Sequence, residues 1–327
     1  MKKTLSFILA AMLLISCIFC FASCKNDKND TDVKTIGIIK FGSHASLNNC
    51  YDGIIKGLKE NGIDIDSGKY KIELLDSNFD ASVSQSQAQK LVNKNVDLII
   101  AIATPSAIAA ANASDGKIPV VYCAITDASV MNNYENVTGV SDIPNFEKQL
   151  EVVSAFMNKT DLRIGVLYSS EESSSPIQVA NLKEAAKKYS GMEVIDSLVS
   201  DITTIDAKVN DLLSQNVDCL INLLDNTIVG KLETNILPIT NERKIPVFGS
   251  EIEQVKVGCL ASASIEYVDN VGFETGKIAS EILLGKKTAY DIPHATISNP
   301  TNYYNSKVAE ELGIKVPSSP EMTDVAK

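Results

Sequence analysis

NVDLIIAIATPSA at residues 95–107 returns in altered form as NVDCLINLLDNTI at residues 216–228. Two more stretches are repeated in the same way, IGIIKF (36–41) as IGVLYS (164–169) and KIPVVYCAITD (117–127) as KIPVFGSEIE (244–253). The copies are displaced by 121 to 128 residues, a near-constant offset that indicates two copies of one structural unit. Two such units leave a cleft between them, and clefts of this kind are common binding sites for small molecules.

Short apolar runs alternate with helical-period segments from Val33 onward. Runs such as LIIAIA at residues 98–103 are apolar at every position, which is typical of strands buried on both faces of a parallel sheet. The sequence therefore predicts an α/β fold with two lobes, each a parallel sheet covered by helices.

The stretch at residues 258–265 has the pattern of a strand but no partner left in the second copy, so we expect it to return to the first lobe. The predicted lobes are residues 33–140 plus about 258–290, and residues 141–257 plus about 291–327. Several crossings between the lobes would form a hinge of several strands, which suits rigid-body closure.

The N-terminus has the pattern of a bacterial lipoprotein signal. Lys2 and Lys3 precede an apolar run from Leu5 to Ala22, and small residues stand directly before Cys24. We predict a signal peptide over residues 1–23, lipidation of Cys24 and a lipid-anchored linker over residues 24–32. An uncleaved transmembrane anchor is the alternative. Both place the remaining chain on the extracytoplasmic face of the bacterial cell membrane.

Composition excludes several classes of protein. The formal net charge is −11 with no cluster of Lys or Arg, which argues against nucleic acid as a partner. The cysteines beyond the N-terminal segment are widely spaced, so neither a disulfide framework nor a zinc site is expected. No GxSxG, GxxxxGK[ST], HExxH or GxGxxG motif occurs, and we predict no catalytic residues, no metal and no cofactor.

Candidate binding residues follow the strands, because ligands of parallel α/β sheets bind at the carboxyl ends of strands and the N-termini of the next helices. Thr104, Pro105 and Ser106 follow LIIAIA, with Thr104 as the expected N-cap and Pro105 in the first turn. Ser174 and Ser175 repeat this arrangement in the second copy. A helix N-terminus with hydroxyl groups can bind a carboxylate; the alternative is that these residues only cap helices.

The other strand ends add an acid, an imidazole and more hydroxyls. Asp225 and Asn226 end the strand equivalent to LIIAIA, where the carboxylate can hold an ammonium group or simply cap the next helix. The remaining candidates are Ser43, His44, Thr126, Asp127 and Glu251. We expect His44 to hydrogen-bond a ligand or loop rather than to act in acid–base catalysis. A site that holds both a carboxylate and an ammonium group indicates an α-amino acid.

The chain resembles the ABC-transporter substrate-binding lipoproteins of the TrpX type over residues 33–317. The motifs that carry the resemblance are, in order, IATPSA, TDAS, NVTGVSD with EKQL, VLYSSEESSS, DNT and KIPVFGSE. The resemblance implies a type I periplasmic-binding-protein-like fold, with two Rossmann-like lobes, parallel sheets and a multi-strand hinge. It also implies capture of amino acids, typically aromatic ones, for a membrane permease.

The resemblance places the family's cleft loops on residues of this sequence. They fall on Ser43-His44, Thr104-Pro105-Ser106, Thr126-Asp127, Glu172 with Ser174-Ser175, Asp225-Asn226 and Glu251. Two departures concern an acid and a Tyr that such proteins usually have: Ser43 precedes His44, and Ala263-Ser264-Ile265-Glu266 stands where Tyr-Gly-Ile-Asp is frequent.

We therefore predict an extracytoplasmic substrate-binding lipoprotein of an ABC importer that captures a small amino acid-like ligand, with an aromatic amino acid favoured. Its expected partners are the ligand, the permease subunits of an ABC transporter and the membrane, through the lipid anchor. The alternative ligands are a nucleoside, a sugar or a peptide, and a ligand-sensing lipoprotein is the alternative role.

Overall fold

The computed structural model of the chain describes residues 33–297 and 299–327. The predicted signal peptide, Cys24 and the linker lie outside the described residues. The strands are β1 Lys34–Lys40, β2 Tyr70–Asp76, β3 Leu98–Ile102, β4 Val120–Ile125, β5 Val137–Asp142, β6 Arg163–Ser169, β7 Glu193–Val199, β8 Cys219–Asn222, β9 Val247–Phe248, β10 Ala261–Ser264, β11 Ala295–Ile297, β12 Thr301–Tyr304 and β13 Thr323–Asp324.

The α-helices lie between these strands. They are α1 Ala45–Glu60, α2 Ala81–Asn93, α3 Thr104–Ser114, α4 Phe146–Met157, α5 Ser175–Ala186, α6 Ile205–Leu213, α7 Asn226–Val229, α8 Leu237–Glu242, α9 Ile252–Val257, α10 Phe273–Leu283 and α11 Ser306–Leu312. Wider π turns at Leu232–Ile236 and Tyr267–Gly272 lead into α8 and α10.

The repeated segments occupy equivalent places in two parallel sheets. The first sheet has the order β11-β5-β4-β3-β1-β2 and the second the order β7-β6-β8-β9, so β1, β3 and β4 of one match β6, β8 and β9 of the other. All pairs within these two sheets are parallel. The α/β class and the two parallel sheets predicted from the repeats are confirmed.

Each sheet is covered on both faces, which explains its near-continuous apolar strands. In β1, Ile38 packs into one buried cluster and its neighbour Ile39 into another, because successive side chains of a strand point to opposite faces. The second sheet likewise has Val166 and Leu167 of β6 in different clusters. We call the first sheet with its two clusters lobe one, and the second sheet with its two clusters lobe two.

The chain crosses between the lobes three times, but not all where the sequence predicts. The prediction that β10 lies in lobe one is wrong: it pairs with β12, and its Ala261 and Ala263 lie in a cluster of lobe two. The following Ile265 and Tyr267 lie in a cluster of lobe one. β11, predicted in lobe two, pairs with β5 in lobe one. The crossings therefore follow β5, β10 and β11.

The helical segment that follows β8 is interrupted. It consists of α7, a π turn and α8, and Pro238 stands at the start of α8. Proline has no backbone N–H and clashes with the preceding helical turn, so a wider turn precedes it.

Two glycine-faced helices pack closely in lobe one. Gly53 and Gly57 of α1 lie against Gly272 and Gly276, at the start of α10. Glycines at such spacings allow two helix backbones to approach more closely than larger residues permit. This contact fixes α1, whose N-terminal end reaches the cleft.

The four cysteines in the described part of the chain, Cys50, Cys123, Cys219 and Cys259, are free and buried. Within residues 33–297 and 299–327, none of the helices has the length and apolar character needed to cross a membrane. Nor do those residues contain a group of three His, Cys, Asp or Glu side chains arranged to hold a metal ion.

Candidate ligand-binding site

A narrow cavity lies between the lobes at the carboxyl ends of the parallel strands. Lobe one and the crossing segments contribute His44, Ser46, Leu47, Thr104, Ala124, Thr126, Asp142 and Tyr267 to its wall. Lobe two contributes Ser174, Leu224, Asn226, Val229, Glu251 and Gln254. No Lys or Arg is among these fourteen lining residues.

The cavity is tight. Its volume is only about 20 Å³. That is room for about one ordered water. A larger molecule can therefore enter only if the lobes separate or lining side chains rotate.

Four helices that begin at this cavity, α1, α3, α5 and α9, have no side-chain cap, whereas α7, whose first residue Asn226 also lines the cavity, is capped by Asp225. The N-cap residues of α1, α3, α5 and α9 are His44, Ala103, Ser174 and Glu251, and none of these side chains bonds to the helix. By contrast, Asp80, Asn145, Asp225 and Asn305 cap α2, α4, α7 and α11. Free backbone N–H groups at the first turns of α1, α3 and α5 give this end of the cleft a positive potential.

The N-cap of α3 differs from the prediction. Thr104 is the first helical residue, and Ala103 precedes it with φ 77°. Because Ala103 has no polar side chain and adopts a left-handed backbone, it leaves the first N–H groups of α3 without a cap. The Thr104 side chain is available to the cavity that it lines.

Asp225 is satisfied inside lobe two rather than free for a ligand. One carboxylate oxygen accepts from the Ile228 N–H at 3.1 Å, as an N-cap. The other accepts from the Ser169 N–H at 2.6 Å and the Ser175 hydroxyl at 2.7 Å. Asp225 is fully buried and does not line the cavity, so it corresponds to the capping alternative that the sequence leaves open.

A hydrogen-bonded chain crosses the cleft through His44 and Asn226. Asn226 Nδ2 donates to Glu172 Oε2 at 2.6 Å, so its Oδ1 faces His44 Nε2 at 3.0 Å and accepts a hydrogen bond. Glu172 also accepts from the Ser174 hydroxyl at 3.1 Å. Burial lowers the pKa of His44 from 6.5 to about 4. The ring is therefore neutral at neutral pH, with its hydrogen on Nε2.

Two more hydrogen bonds join α1 to α9 across the cleft. The Ser46 hydroxyl donates to Glu251 Oε1, and Asn49 Nδ2 donates to Glu253 Oε1 at 2.8 Å. Since α1 belongs to lobe one and α9 to lobe two, both bonds exist only when the lobes are together. They hold the N-terminal turns of the two helices at the cavity.

Three carboxyl groups have raised pKa values, two in the cavity wall and one directly behind it. Burial raises the pKa of Asp142 to about 7, although a hydrogen bond from Tyr267 lowers it. Burial likewise raises the pKa of Glu172 and Glu251 to about 8. Each of the three is at most 2% exposed, and perturbed acids grouped in one cleft indicate a functional site.

The structure brings some of the sequence-predicted residues together at the cavity and leaves others outside it. Those that line it are His44, Thr104, Thr126, Ser174, Asn226 and Glu251. Those that do not are Ser43, Pro105, Ser106, Asp127, Glu172, Ser175 and Asp225.

The residues outside the cavity have other contacts. Ser43 bonds to Lys40 and Asn48, while Ser106 bonds to Ser84 within lobe one. Asp127 caps the short turn that follows β4, accepting from the Ser129 N–H at 2.9 Å. Glu172, Ser175 and Asp225 support the lining residues from behind.

Sequence reasoning missed several lining residues. The most polar of these are Ser46, Asp142, Gln254 and Tyr267. Asp142 ends β5, so the strand-end rule applies to it, but its stretch of sequence has the pattern of a crossing between lobes. The sequence 263–266 lacks the Tyr that similar proteins often have there, but Tyr267 supplies a tyrosine to the cavity wall. Gln254 and Ser46 carry no signal beyond their place in the first turns of helices.

Comparison with known proteins gives concordant matches. The model of the family described as ABC transporter substrate binding protein matches residues 35–321. A tyrosine-binding protein of Clostridioides difficile (strain R20291) is 35% identical over 329 residues, which cover 96% of this chain and 93% of that protein.

Two solved structures are similar at more than 30% identity. An ABC domain from Streptococcus pneumonia in complex with L-Trp is 34% identical with a TM-score of 0.81, covering 88% of this chain and 96% of that one. The ligand-free, open structure of a substrate-binding protein with adhesive properties from Clostridium difficile is 32% identical with a TM-score of 0.66, covering 90% and 99%. At nearly equal identity, the lobes of this chain are thus arranged more like those of the L-Trp complex.

Proposed function

The chain belongs to the ABC transporter substrate-binding protein family, and from this premise we propose that it captures an aromatic amino acid between its lobes and delivers it to an ABC permease. The resemblance noted in the sequence is confirmed. Members of this family bind solutes and are not enzymes, as the sequence predicts. They act outside the cytoplasm.

One observation carries the proposal of an amino acid: groups suited to opposite charges meet at one cavity. The uncapped N-termini of α1, α3 and α5 favour an anion such as a carboxylate. The buried carboxyl groups of Asp142 and Glu251 favour a cation, and no lining Lys or Arg neutralises them. A zwitterion satisfies both sets at once.

The aromatic side chain is supported by the relatives and by the apolar part of the wall. A tyrosine-binding protein and an L-Trp complex are each about a third identical to this chain. Leu47, Leu224, Val229 and Tyr267 line the cavity. Such side chains can pack against a ring, and an aromatic pair of rings adds about 0.5–1.5 kcal/mol to simple burial.

Space for the ring would come from the side of the cavity that faces His44. His44 stacks on Phe79 with ring centroids 6.0 Å apart. A neighbouring cavity of about 290 Å³ shares His44, Ser46 and Glu251 with the first. Rotation of His44 would join the two cavities.

Closure is the proposed mechanism of capture. Only the closed arrangement brings the N-termini of α1 and α3 into one site with Ser174, Asn226 and Glu251 of lobe two. A ligand that contacts both lobes therefore stabilises the closed state, since a ligand shifts an equilibrium by its differential affinity for the two states. The permease would then recognise the closed lobes.

We also propose that the mature protein is anchored through a lipid on Cys24. The support is the sequence pattern alone. Growth of an expressing strain with a labelled fatty acid should label the wild-type protein but not a Cys24→Ser variant. Equal labelling of both would contradict the proposal.

A thermal-shift panel tests the ligand class. The twenty common amino acids, several nucleosides and several sugars are added at millimolar concentration to protein that has been unfolded, freed of ligand and refolded. We expect tyrosine, tryptophan or phenylalanine to raise the melting temperature most. The proposal would be refuted if a nucleoside or a sugar raised the melting temperature, or if none of the amino acids did.

A further inference from the structure

Three oxygen atoms of the cavity wall are buried and have no hydrogen-bond partner. They are Thr126 Oγ1, Asp142 Oδ1 and Glu251 Oε2. Buried polar atoms are nearly always hydrogen-bonded, so each exception requires an explanation. Three such oxygen atoms in one small cavity, beside the unpaired Nδ1 of His44, indicate acceptors that a ligand can satisfy.

Two of these acceptors lie side by side in lobe one. β4 and β5 are neighbouring parallel strands, with Ile125 opposite Ser141. Thr126 directly follows the end of β4 and Asp142 is the last residue of β5, so both lie at the same edge of the sheet. Glu251 approaches from lobe two at the start of α9.

In both carboxyl groups, a hydroxyl fixes one oxygen and leaves the other free. Tyr267 donates to Asp142 Oδ2 at 2.8 Å, and Ser46 donates to Glu251 Oε1. Each carboxyl is thereby held in one orientation. The free oxygens are Asp142 Oδ1 and Glu251 Oε2.

The chemistry of the cluster matches a primary ammonium group. Such a group has three N–H donors and one positive charge, and the cluster offers three acceptors and two neighbouring carboxyl groups without a lining Lys or Arg. A planar guanidinium donates in a fork, which suits one carboxylate better than three separate acceptors.

Resting on the proposed function, we propose that Thr126, Asp142 and Glu251 form a socket for the α-ammonium group of the ligand, with Tyr267 and Ser46 as positioning residues. The socket requires a primary amine, because a secondary amine has one N–H fewer and a methyl group in its place. It also spans the lobes and reaches the hinge, since Asp142 precedes one crossing and Tyr267 follows another.

The test compares ligands with and without the amine, by titration calorimetry and competition on refolded, ligand-free protein. L-Tyrosine has the amine, and 3-(4-hydroxyphenyl)propionate has the same ring and carboxylate without it. Asp142→Asn should weaken L-tyrosine about 10- to 150-fold, the range for a hydrogen bond to a charged group, and leave the amine-free ligand within about threefold. Wild-type protein should bind N-methyl-L-tyrosine at least about tenfold more weakly than L-tyrosine.

Asp127→Asn is the matched control, because this neighbouring carboxylate caps a surface turn and does not line the cavity. It should change neither affinity by more than about twofold. If Asp142→Asn does not fold, Thr126→Val should give the same pattern, with a loss of about fivefold for L-tyrosine only. Tyr267→Phe should also weaken L-tyrosine only.

The outcomes separate the socket from the proposed function. If wild-type protein binds no amino acid, the proposed function fails. If it binds L-tyrosine but Asp142→Asn or its substitute weakens both ligands equally, the socket alone is refuted. The socket is also refuted if Asp127→Asn, rather than Asp142→Asn, abolishes the discrimination between the two ligands.

Discussion

Gly57→Ala should destabilise the protein and weaken ligand binding together, because the glycine-faced contact of α1 positions the site. A Cβ atom at Gly57 would lie 3.1 Å from Gly276 Cα and still closer to the Phe273 carbonyl oxygen. Both obstacles are backbone and cannot rotate away. The helices must then separate by roughly 1 Å to restore ordinary contact distances.

The size of the effect follows from this geometry. Overpacking against fixed groups costs about 1–3 kcal/mol, and a backbone obstacle places Gly57→Ala near the upper end. For a protein of this size, about 3 kcal/mol corresponds to a melting temperature lower by roughly 5–10 °C. Displacement of α1 also weakens the bond from Ser46 to Glu251, and loss of about 1.4 kcal/mol there lowers affinity for L-tyrosine about tenfold.

Denaturant unfolding and calorimetric titration would measure both effects, with Gly230→Ala as the control. Gly230 has φ −62°, and an added Cβ would meet its nearest neighbours at 3.4–3.6 Å, which is ordinary contact. The control should stay within about 0.5 kcal/mol of wild type. If Gly57→Ala is as stable as Gly230→Ala, α1 and α10 do not pack as closely as described. If Gly57→Ala is destabilised but its affinity for L-tyrosine is unchanged, α1 does not position the site.

Three further predictions concern the polar groups of the cleft. Without ligand, the free energy of unfolding should fall as pH rises from 5 to 8.5, because the raised pKa values of Asp142, Glu172 and Glu251 make the folded state bind more protons. This stabilisation is complete below about pH 4 and is lost as the pH rises through about 7–8. Denaturant midpoints that rise with pH would contradict the prediction. Asp225→Ala should lower the free energy of unfolding by about 3 kcal/mol, since it removes three buried hydrogen bonds; loss of ligand binding with unchanged stability would show a direct role instead. Ser46→Ala should shift ligand-free protein toward the open form, seen as a larger radius of gyration in small-angle scattering, and an unchanged radius would mean that this bond does not hold the lobes together.

The sequence predicts the scaffold well because the scaffold repeats. Both copies keep the apolar strand runs that need two covered faces, so the runs at 98–102 and 219–222 occupy matching positions in their sheets. The same rule places the site at the strand ends. The assignment of strands to lobes fails for β10 and β11, because the pairing of these short strands depends on distant partners and not on local pattern.

The individual site residues are harder to predict, because residue type at a strand end does not determine what a side chain contacts. Asp225 and Asp142 both end or follow buried strands, yet Asp225 caps α7 and Asp142 faces the cavity. Asp225 is followed by a helix whose third N–H it accepts, whereas Asp142 enters a crossing. The sequence favours Thr104 as the N-cap of α3. In the structure the N-cap is Ala103, which has a left-handed backbone, so the helix begins one residue earlier.

The cleft is balanced so that a ligand can decide its state. Closure leaves Asp142 Oδ1 and Glu251 Oε2 buried without partners, which costs about 1–3 kcal/mol for each group that water would otherwise satisfy. Three interlobe hydrogen bonds, from Ser46, Asn49 and His44, oppose that cost with about 0.5–1.5 kcal/mol each. The two sums are of similar size, so we expect the ligand-free lobes to exchange between open and closed forms. An ammonium group that satisfies the free oxygens removes the cost of burying them and leaves the interlobe hydrogen bonds in place. A ligand that binds the closed state about 5.5 kcal/mol more tightly than the open state is enough to change a 1:99 ratio of closed to open lobes to 99:1.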